Sequence, residues 1–197
     1  MVLAAGASER LGTSKALVRI GRATPLESLL RAGAGMDGAA PLVITGADHR
    51  AIERAAPGGG EVAFNEAWER GRSGGVRVAR GLRPGLDLCL APVDVPLVPR
   101  EVFEALAAAW ANAGAPARGW LAPCVVGGDG VPRFGHPVVV GRELLGELEA
   151  MDEGAPLREL RSRAHPLLAV EVSAREILDD LDAAAALARV RGRARQE

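Results

Sequence analysis

Residues 3–15 of the 197-residue chain read LAAGASERLGTSK: a short apolar strand that opens into a loop of small residues and leads towards a helix. Small residues let backbone N–H groups come close to a phosphate, and Arg10 and Lys15 can balance its charge. The loop does not fit the Walker pattern, because Gly12 comes one position late and Lys15 does not follow a glycine. It also lacks glycine at two positions of the GxGxxG dinucleotide pattern. The stretch therefore predicts a phosphate-binding loop of another kind at the end of a strand.

The rest of the chain alternates short apolar runs with longer amphipathic ones, which is the pattern of an α/β protein. Strands are predicted at residues 2–5, 42–45, 62–64, 86–93, 120–126, 137–140 and 167–172. Helices are predicted to open at Pro25, to be capped by Ser73, to run from Pro99 to Trp110 with Pro99 in the first turn, and to follow Asp182. No linker or repeat divides the sequence, so residues 1–197 are expected to form a single domain. The first strand begins at the second residue, so either it is unusually short or a few natural residues precede it.

Composition and charge argue against two classes of partner. The 24 basic and 25 acidic residues give a formal net charge of −1, so no basic field draws the chain to nucleic acid or to anionic membranes. No run approaches the ~18 apolar residues of a membrane span, and the start of the chain lacks the basic segment of a signal peptide. Cys89 and Cys124 lie in apolar runs and form no CxxC pair, which indicates free thiols in a reducing compartment. We therefore expect a soluble, cytoplasmic protein that binds neither nucleic acid nor membranes.

Lys15 stands out in the composition, because it is the single lysine beside 23 arginines. An arginine bias of this kind replaces lysine wherever charge alone matters. Lysine differs from arginine in carrying a compact ammonium on a flexible stem instead of a planar guanidinium. The remaining lysine therefore suggests a position where that flexible point charge is needed.

Aspartates close to predicted strand ends are candidate metal ligands. Asp94 ends an apolar run, and side chains at such a point converge on the crevice of an open α/β sheet. Its carboxylate could hold Mg²⁺ that bridges nucleotide phosphates, or it could cap the helix that Pro99 opens. Asp180 and Asp182 stand two apart before the last predicted helix, so Asp182 could be a second ligand or simply the N-cap of that helix.

The loop resembles, almost residue for residue, the signature LAAGxSxRxGxxK of the MobA-like NTP transferase family, on the side of the molybdenum-cofactor cytidylyltransferases. The matching positions are Leu3, Ala4, Ala5, Gly6, Ser8, Arg10, Gly12 and Lys15. Further segments are similar to the family in the same order: NEAWERGRSGGV (65–76), APVDVPLV (91–98), FGHPVVVGRELLGEL (134–148) and the turn at 152–155. The resemblance covers nearly the whole chain. It implies a Rossmann-like fold of the GT-A nucleotidyltransferase type, a three-layer α/β sandwich around a mostly parallel central sheet.

The resemblance implies nucleotidyl transfer, in which an acceptor phosphate attacks the α-phosphate of an NTP in line and pyrophosphate leaves. Nucleotide binding is implied for Leu3, Ala4, Ala5, Gly6, Ser8, Arg10 and Lys15. The implied catalytic residues are Arg10, Lys15 and Asp94, with Mg²⁺ held by Asp94 and Asp182. Where the family often reads D-I-D-T-P-x-D, this chain keeps Asp180 and Asp182 but has alanine in place of Thr-Pro and of the last aspartate.

The residues implied to meet the acceptor are Asn65, Trp68, Ser73 and His136. His136 sits in a Gly-His-Pro context that orients its ring; the alternative is a packed histidine satisfied by backbone bonds. Trp68 could equally belong to the core. The family usually has Ser-Ser-Leu where this chain has Gly74-Gly75-Val76, which removes hydroxyl contacts but leaves helix N–H groups for an anion.

Within the family, Ala5 and the Gly-His-Pro unit favour the cytidylyl branch, since guanylyl members more often have glycine in place of Ala5. CTP and a small phosphorylated acceptor of the molybdopterin type are therefore expected. Two other functions remain open: transfer to a sugar 1-phosphate or another small phosphorylated alcohol, and a nucleotide-binding regulatory protein that has lost catalysis. A glycosyltransferase that uses Asp180 and Asp182 is disfavoured, because such enzymes do not need the Arg10 and Lys15 loop.

Overall fold

A computed structural model describes residues 1–8, 12–34, 36, 40–55, 60–152 and 154–181 of the chain. The strands among them are β1 (Val2–Ala4), β2 (Leu42–Thr45), β3 (Glu61–Phe64), β4 (Leu88–Pro92), β5 (Trp120–Val126), β6 (Pro132–Phe134), β7 (Val138–Val140) and β8 (Leu167–Glu171). The α-helices are α1 (Pro25–Gly33), α2 (His49–Ala55), α3 (Arg72–Leu82), α4 (Arg100–Asn112), α5 (Arg142–Gly146) and α6 (Arg158–Arg161). Short 3₁₀ helices cover Trp68–Arg70, Glu147–Ala150 and Arg175–Leu178.

All of these strands join one sheet with the order β3-β2-β1-β4-β7-β5, and both β6 and β8 pair with β5. Neighbours are parallel from β3 through β2 and β1 to β4, and again between β5 and β8. Strand β7 is antiparallel to β4 and β5, and β6 is antiparallel to β5. Six strands therefore run one way and two the other, which confirms the predicted mostly parallel α/β sheet.

Strands β6 and β7 lie on the same side of β5 and act as two halves of one reversed strand. Phe134 pairs with Cys124 and Val140 pairs with Trp120, while β8 occupies the opposite side of β5. The halves are separated by the Gly-His-Pro segment, where the amide of Gly135 still donates to the carbonyl of Pro123 at 3.0 Å. This break turns the His136 backbone away from the sheet.

The core lies on both faces of the sheet, which makes a three-layer sandwich. On one face, α1 and α4 bury Leu26, Leu29, Val102, Phe103 and Leu106 against β1, β2 and β4. On the other, α3, α5 and the segments after it bury Val76, Ala79, Leu144, Leu145 and Leu148. Each fully buried side chain of this size contributes roughly 1.5–3 kcal/mol of transfer free energy. The apolar stripes of these helices therefore hold the sheet between two helical layers.

Helix starts show where the sequence predictions hold and where they fail. Thr24 caps α1 in a capping box with Glu27, and Pro25 takes the first position as predicted. Helix α4 starts at Arg100, because Pro99 is extended (ψ 160°) and serves as the N-cap position instead of the first turn.

Ser73 does not cap α3, so that prediction is wrong. The chain enters this helix through Gly71, whose φ of +114° suits glycine, and Ser73 is already helical. Its hydroxyl donates instead to the carbonyl of Ala155. The helix predicted after Asp182 lies outside the described residues.

Two strand predictions also differ from the structure. Strand β4 begins at Leu88 and not at residue 86, because Leu86 is exposed and follows a turn at Gly85 with φ +75°. Strand β6 was not predicted, since its three residues are all exposed and show no apolar alternation.

Across the described residues, no helix combines the length and the apolar character needed to cross a membrane.

Candidate active site

A cleft of about 200 Å³ opens at the carboxyl ends of β1 and β4. Its walls come from the end of β1 and the loop after it (residues 3–6 and 8), from residues 14–16, and from the end of β4 and the segment after it (residues 92–94). The remaining wall residues lie just before α3 or in its first turn: Trp68, Gly71, Arg72 and Gly75. Ligands of open α/β sheets bind in this kind of crevice, outside the carboxyl ends of the strands. The parallel arrangement of β1 and β4 is what brings the predicted loop and the predicted aspartate to one edge.

The loop after β1 is closed by a hydrogen bond between two residues predicted to bind nucleotide. The amide of Lys15 donates to the hydroxyl of Ser8 at 2.9 Å. Ser8 itself has φ +54°, a left-handed conformation that turns the backbone sharply, and Gly12 has φ +63°. Lys15 thereby lies on the cleft wall next to the loop backbone. Arg10, the second predicted cation, lies outside the described residues.

Trp68 forms a wall of the cleft and is half-buried. It packs against Gly46, where an added Cβ would lie 2.5 Å from Cβ of Trp68 and would also clash with the carbonyl oxygen of Ala5. That carbonyl accepts a 3.1 Å bond from the amide of Ala47. Glycine at this position therefore lets the indole approach the β1 loop, a dependence that the sequence analysis missed.

Asp94 lies at the base of the cleft, two residues beyond the end of β4. Its side chain is only 12% exposed, and its Oδ2 accepts a 2.8 Å bond from Nη2 of Arg72. Its main-chain carbonyl accepts a 2.8 Å bond from the amide of Leu181, so the segment after β8 returns to this strand end. The alternative role of Asp94 as a helix cap is wrong, because no side chain caps α4.

His136 lies close enough to Asp94 and Arg72 for both charges to affect it. The pKa of its imidazole is lowered, chiefly by burial. The negative charge of Asp94 offsets part of this shift, and the positive charge of Arg72 adds to it. Its amide donates to the carbonyl of Ile177 at 3.1 Å. Its Nδ1 is buried and makes no hydrogen bond within the described part of the chain. Within the described residues the imidazole is therefore largely buried but not fully satisfied, and its contact with an acceptor stays a prediction.

Asn65 and Ser73 lie beneath the surface instead of on the cleft wall. They are 2% and 1% exposed, respectively. Oδ1 of Asn65 accepts from the amide of Ala67 at 3.2 Å, which supports the turn that leads into Trp68. Ser73 ties α3 to the loop that contains Ala155. Of the four residues predicted to meet the acceptor, Trp68 lines the cleft with Asp94, whereas His136, Asn65 and Ser73 do not line it. His136 lies within electrostatic range of Asp94, and the contact of all four residues with an acceptor stays a prediction.

The donor set at Asp94 fits a divalent cation that arrives with phosphates. Mg²⁺ prefers oxygen ligands and in nucleotide sites is held by one or two carboxylates together with phosphates and water. Asp94 offers such an oxygen at the base of the cleft, and a guanidinium already occupies the position beside Oδ2. Within the described ranges, three or more His, Cys, Asp or Glu side chains nowhere gather into a metal cluster. Asp182, the predicted second ligand, lies outside the described residues.

Comparison with protein families decides what kind of protein carries this cleft. The model of the MobA-like NTP transferase domain matches residues 1–169. The chain belongs to the MobA-like NTP transferase family. It is accordingly an NTP-dependent nucleotidyltransferase, and such enzymes act on a nucleoside triphosphate and a small acceptor with the help of a divalent metal. Curated protein sequences give no significant match.

Solved structures share the MobA-like fold over almost the whole chain. Rv0371c of Mycobacterium tuberculosis H37Rv is 26% identical with a TM-score of 0.77, covering 97% of this chain and 95% of that one. A manganese complex of the same mycobacterial protein also matches, with a TM-score of 0.74. Molybdopterin-guanine dinucleotide biosynthesis protein A of Archaeoglobus fulgidus is 18% identical (TM-score 0.74, 100% and 98% covered). The 2-C-methyl-D-erythritol 4-phosphate cytidylyltransferase of Thermus thermophilus is 20% identical (TM-score 0.65, 98% of both chains covered).

Proposed function

We propose that this MobA-like protein transfers CMP from CTP to a phosphorylated small molecule of the molybdopterin type, with Mg²⁺ as the metal and release of pyrophosphate. The observation that carries the proposal is that Lys15, Asp94 and Trp68 line one cleft at the carboxyl edge of the sheet. Such a transfer needs a cation for phosphate and a carboxylate for metal in one place, and an aromatic wall can help to position a bound ring or acceptor.

The division of roles follows from the chemistry of a phosphate acceptor. That acceptor is already anionic, so the reaction depends on alignment and on neutralising charge more than on a general base. Backbone amides of residues 5–8 would hold the nucleotide phosphates, and Arg10 and Lys15 would balance the charge of the leaving pyrophosphate. Asp94 would hold the metal, with Asp182 as the proposed second ligand. When bound, Mg²⁺ neutralises charge on the reacting phosphates.

The acceptor is proposed to lie between Trp68 and His136. Among the described residues, the buried Nδ1 of His136 has no hydrogen-bond partner, and the imidazole is within electrostatic range of Asp94, which supports a polar contact there. Asn65 and Ser73 are proposed to act on the acceptor through the positions of Trp68 and α3, since both are buried. The choice of CTP is supported by Ala5 in the β1 loop, as in the cytidylyl branch of the family.

A second candidate is transfer to a small phosphorylated alcohol. The observation in its favour is the fold shared with the Thermus cytidylyltransferase, whose name gives 2-C-methyl-D-erythritol 4-phosphate as its substrate. Both candidates use the same cleft and the same metal, and they differ only in the acceptor. A binder that has lost catalysis is a third outcome of the test below.

The test measures pyrophosphate release with Mg²⁺ for each of CTP, GTP and ATP against molybdopterin cofactor and 2-C-methyl-D-erythritol 4-phosphate, with Asp94→Asn as control. The proposal expects release with CTP and the molybdopterin acceptor, lost in the Asp94→Asn variant. Preference for GTP would overturn the nucleotide assignment, and release only with the erythritol phosphate would favour the second candidate. Tight calorimetric binding of CTP without release on any acceptor would identify a regulatory binder.

The proposal extends to the whole chain, residues 1–197, as one nucleotidyltransferase domain in the cytoplasm, without nucleic-acid or membrane partners. It is supported by the net charge of −1 and by the free thiols of Cys89 and Cys124.

A further inference from the structure

The ion pair between Arg72 and Asp94 joins two parts of the cleft lining, the start of α3 and the segment after β4. Arg72 is the first residue of α3, and Asp94 follows β4; the two are 22 positions apart in the chain. Their charged atoms meet at 2.8 Å, and both residues line the cleft. The position that a divalent cation would take on Oδ2 is therefore held by a guanidinium.

The two partners are buried to very different extents. The side chain of Asp94 is 12% exposed, whereas that of Arg72 is 60% exposed. An isolated carboxylate in a mostly buried position is costly, so Asp94 needs a counter-charge at all times. Arg72 can leave more easily, because its guanidinium returns to water when it moves away. The pair is thus suited to an exchange in which another cation takes over Asp94.

A cation that replaces Arg72 must compete with it for the same oxygen. Without nucleotide, a metal ion would find a single carboxylate among the described residues that line the cleft, Asp94, and would have to displace Arg72 from that carboxylate. A metal that arrives with a triphosphate brings phosphate ligands of its own and also offers Arg72 a new anionic partner. Arg72 projects from the first turn of α3, where backbone N–H groups also favour an anion.

We propose that Arg72 is the resident counter-ion of Asp94 in the free enzyme and exchanges partners when substrate binds: the metal takes Asp94, and the guanidinium of Arg72 turns to a phosphate oxygen of the nucleotide. Metal and nucleotide then bind cooperatively. The metal replaces Arg72 as the counter-charge of Asp94, and the nucleotide gives the released guanidinium a new anionic partner. This inference rests on the proposed metal role of Asp94 and assigns to Arg72 a nucleotide-binding role, although nothing in the sequence singles out Arg72.

The experiment titrates Mn²⁺ into the intact protein and follows free Mn²⁺ by electron paramagnetic resonance, without nucleotide and with a non-hydrolysable CTP analogue. Arg72→Met removes the competing charge while keeping an unbranched apolar stem. Arg133→Met is the matched control, because Arg133 pairs with Asp129 at 2.6 Å with a similar exposure of 53% but lies outside the cleft-lining residues. Asp94→Asn tests the metal role on its own.

Without nucleotide, Arg72→Met is expected to bind Mn²⁺ at least about tenfold more tightly than the wild type and Arg133→Met. It is also expected to bind the CTP analogue about tenfold more weakly, since its phosphate contact is gone. Circular dichroism checks that the variant is folded; if it is not, Arg72→Lys, which keeps the charge but not the planar fork, is expected to show smaller shifts in the same directions.

The outcomes separate this inference from the proposed function. If Asp94→Asn abolishes Mn²⁺ binding but Arg72→Met leaves the nucleotide-free affinity unchanged, the metal role stands and the counter-ion exchange is overturned. If Asp94→Asn binds Mn²⁺ as the wild type does, with and without the nucleotide analogue, the metal role of Asp94 fails, and the exchange fails with it.

Discussion

The amide of Lys15 donates a 2.9 Å hydrogen bond to the hydroxyl of Ser8. This bond ties the end of the β1 loop to the turns that precede α1, and it fixes the backbone of the cation that lines the cleft. The backbone position of Lys15 therefore depends on a side chain seven positions earlier.

Lys15→Ala is expected to lower turnover by about a hundredfold, because loss of one charge contact to the reacting phosphates typically costs ~3 kcal/mol. The fold should be unaffected, since Lys15 is a half-buried loop residue. Steady-state pyrophosphate release measures the effect. Lys15→Arg is the matched variant, and its guanidinium is not expected to restore the rate. Full activity of Lys15→Ala would remove Lys15 from the site, whereas full activity of Lys15→Arg would show that any cation suffices there.

Ser8→Ala is expected to weaken nucleotide binding by about fivefold, since it removes a hydrogen bond worth roughly 1 kcal/mol. Ser8→Gly removes the same bond but accepts φ +54° more readily, so it should lose nucleotide affinity with less loss of stability. Calorimetric titration with CTP and urea unfolding separate the two effects. Unchanged affinity in both variants would show that loop closure does not matter for binding.

His136→Gln is expected to raise the KM for the acceptor several-fold while leaving the dissociation constant of CTP unchanged. The reason is that the buried Nδ1 has no hydrogen-bond partner among the described residues and that the imidazole, within electrostatic range of Asp94, is proposed to face the acceptor. Initial rates at varied acceptor concentration give the KM for the acceptor, and calorimetry gives the dissociation constant of CTP. A variant in which only CTP affinity falls would place the imidazole on the nucleotide instead.

Gly46→Ala and Gly81→Ala should change stability in opposite directions. An added Cβ at Gly46 meets the Ala5 carbonyl and the Trp68 side chain, so about 1–3 kcal/mol of destabilisation is expected, as for other overpacked sites. At Gly81, in α3, nothing lies within 4 Å, and alanine should stabilise the helix by up to about 1 kcal/mol. Urea unfolding of both variants tests this, and equal effects would contradict the close approach at Gly46.

Cys89 should react very slowly with thiol reagents in the folded protein. Burial raises the pKa of its thiol from 9.0 to about 11, so only about 0.1% is thiolate at pH 8. Because the neutral form is favoured in the fold, its reaction rate should climb about tenfold per pH unit as the pH rises towards 11. Labelling with Ellman's reagent, with Cys89→Ser to assign the signal, measures this; rapid native labelling of Cys89 at pH 8 would contradict it.

Much of the fold and part of the site follow from local sequence. Short apolar runs predicted every strand of the described residues except β6, whose exposed residues carry no pattern. Pro25 marked the start of α1 because proline suits a first helical turn. The small residues after β1 and the aspartate after β4 predicted which segments meet at the edge of the sheet, and both line the cleft. These signals are readable because they depend on residues close together in the chain.

The pairings across the cleft were decided by tertiary structure. Arg72 is one of 23 arginines, and nothing near it in the sequence marks it as the partner of Asp94; likewise Gly46 gives no local sign that Trp68 will pack on it. The sequence by itself determined an α/β fold with a loop of small residues after β1 and a carboxylate close to a strand end. The sheet order, with β1 between β2 and β4, decided which groups face that carboxylate, because hydrogen bonding between distant strands sets distances that local patterns do not encode.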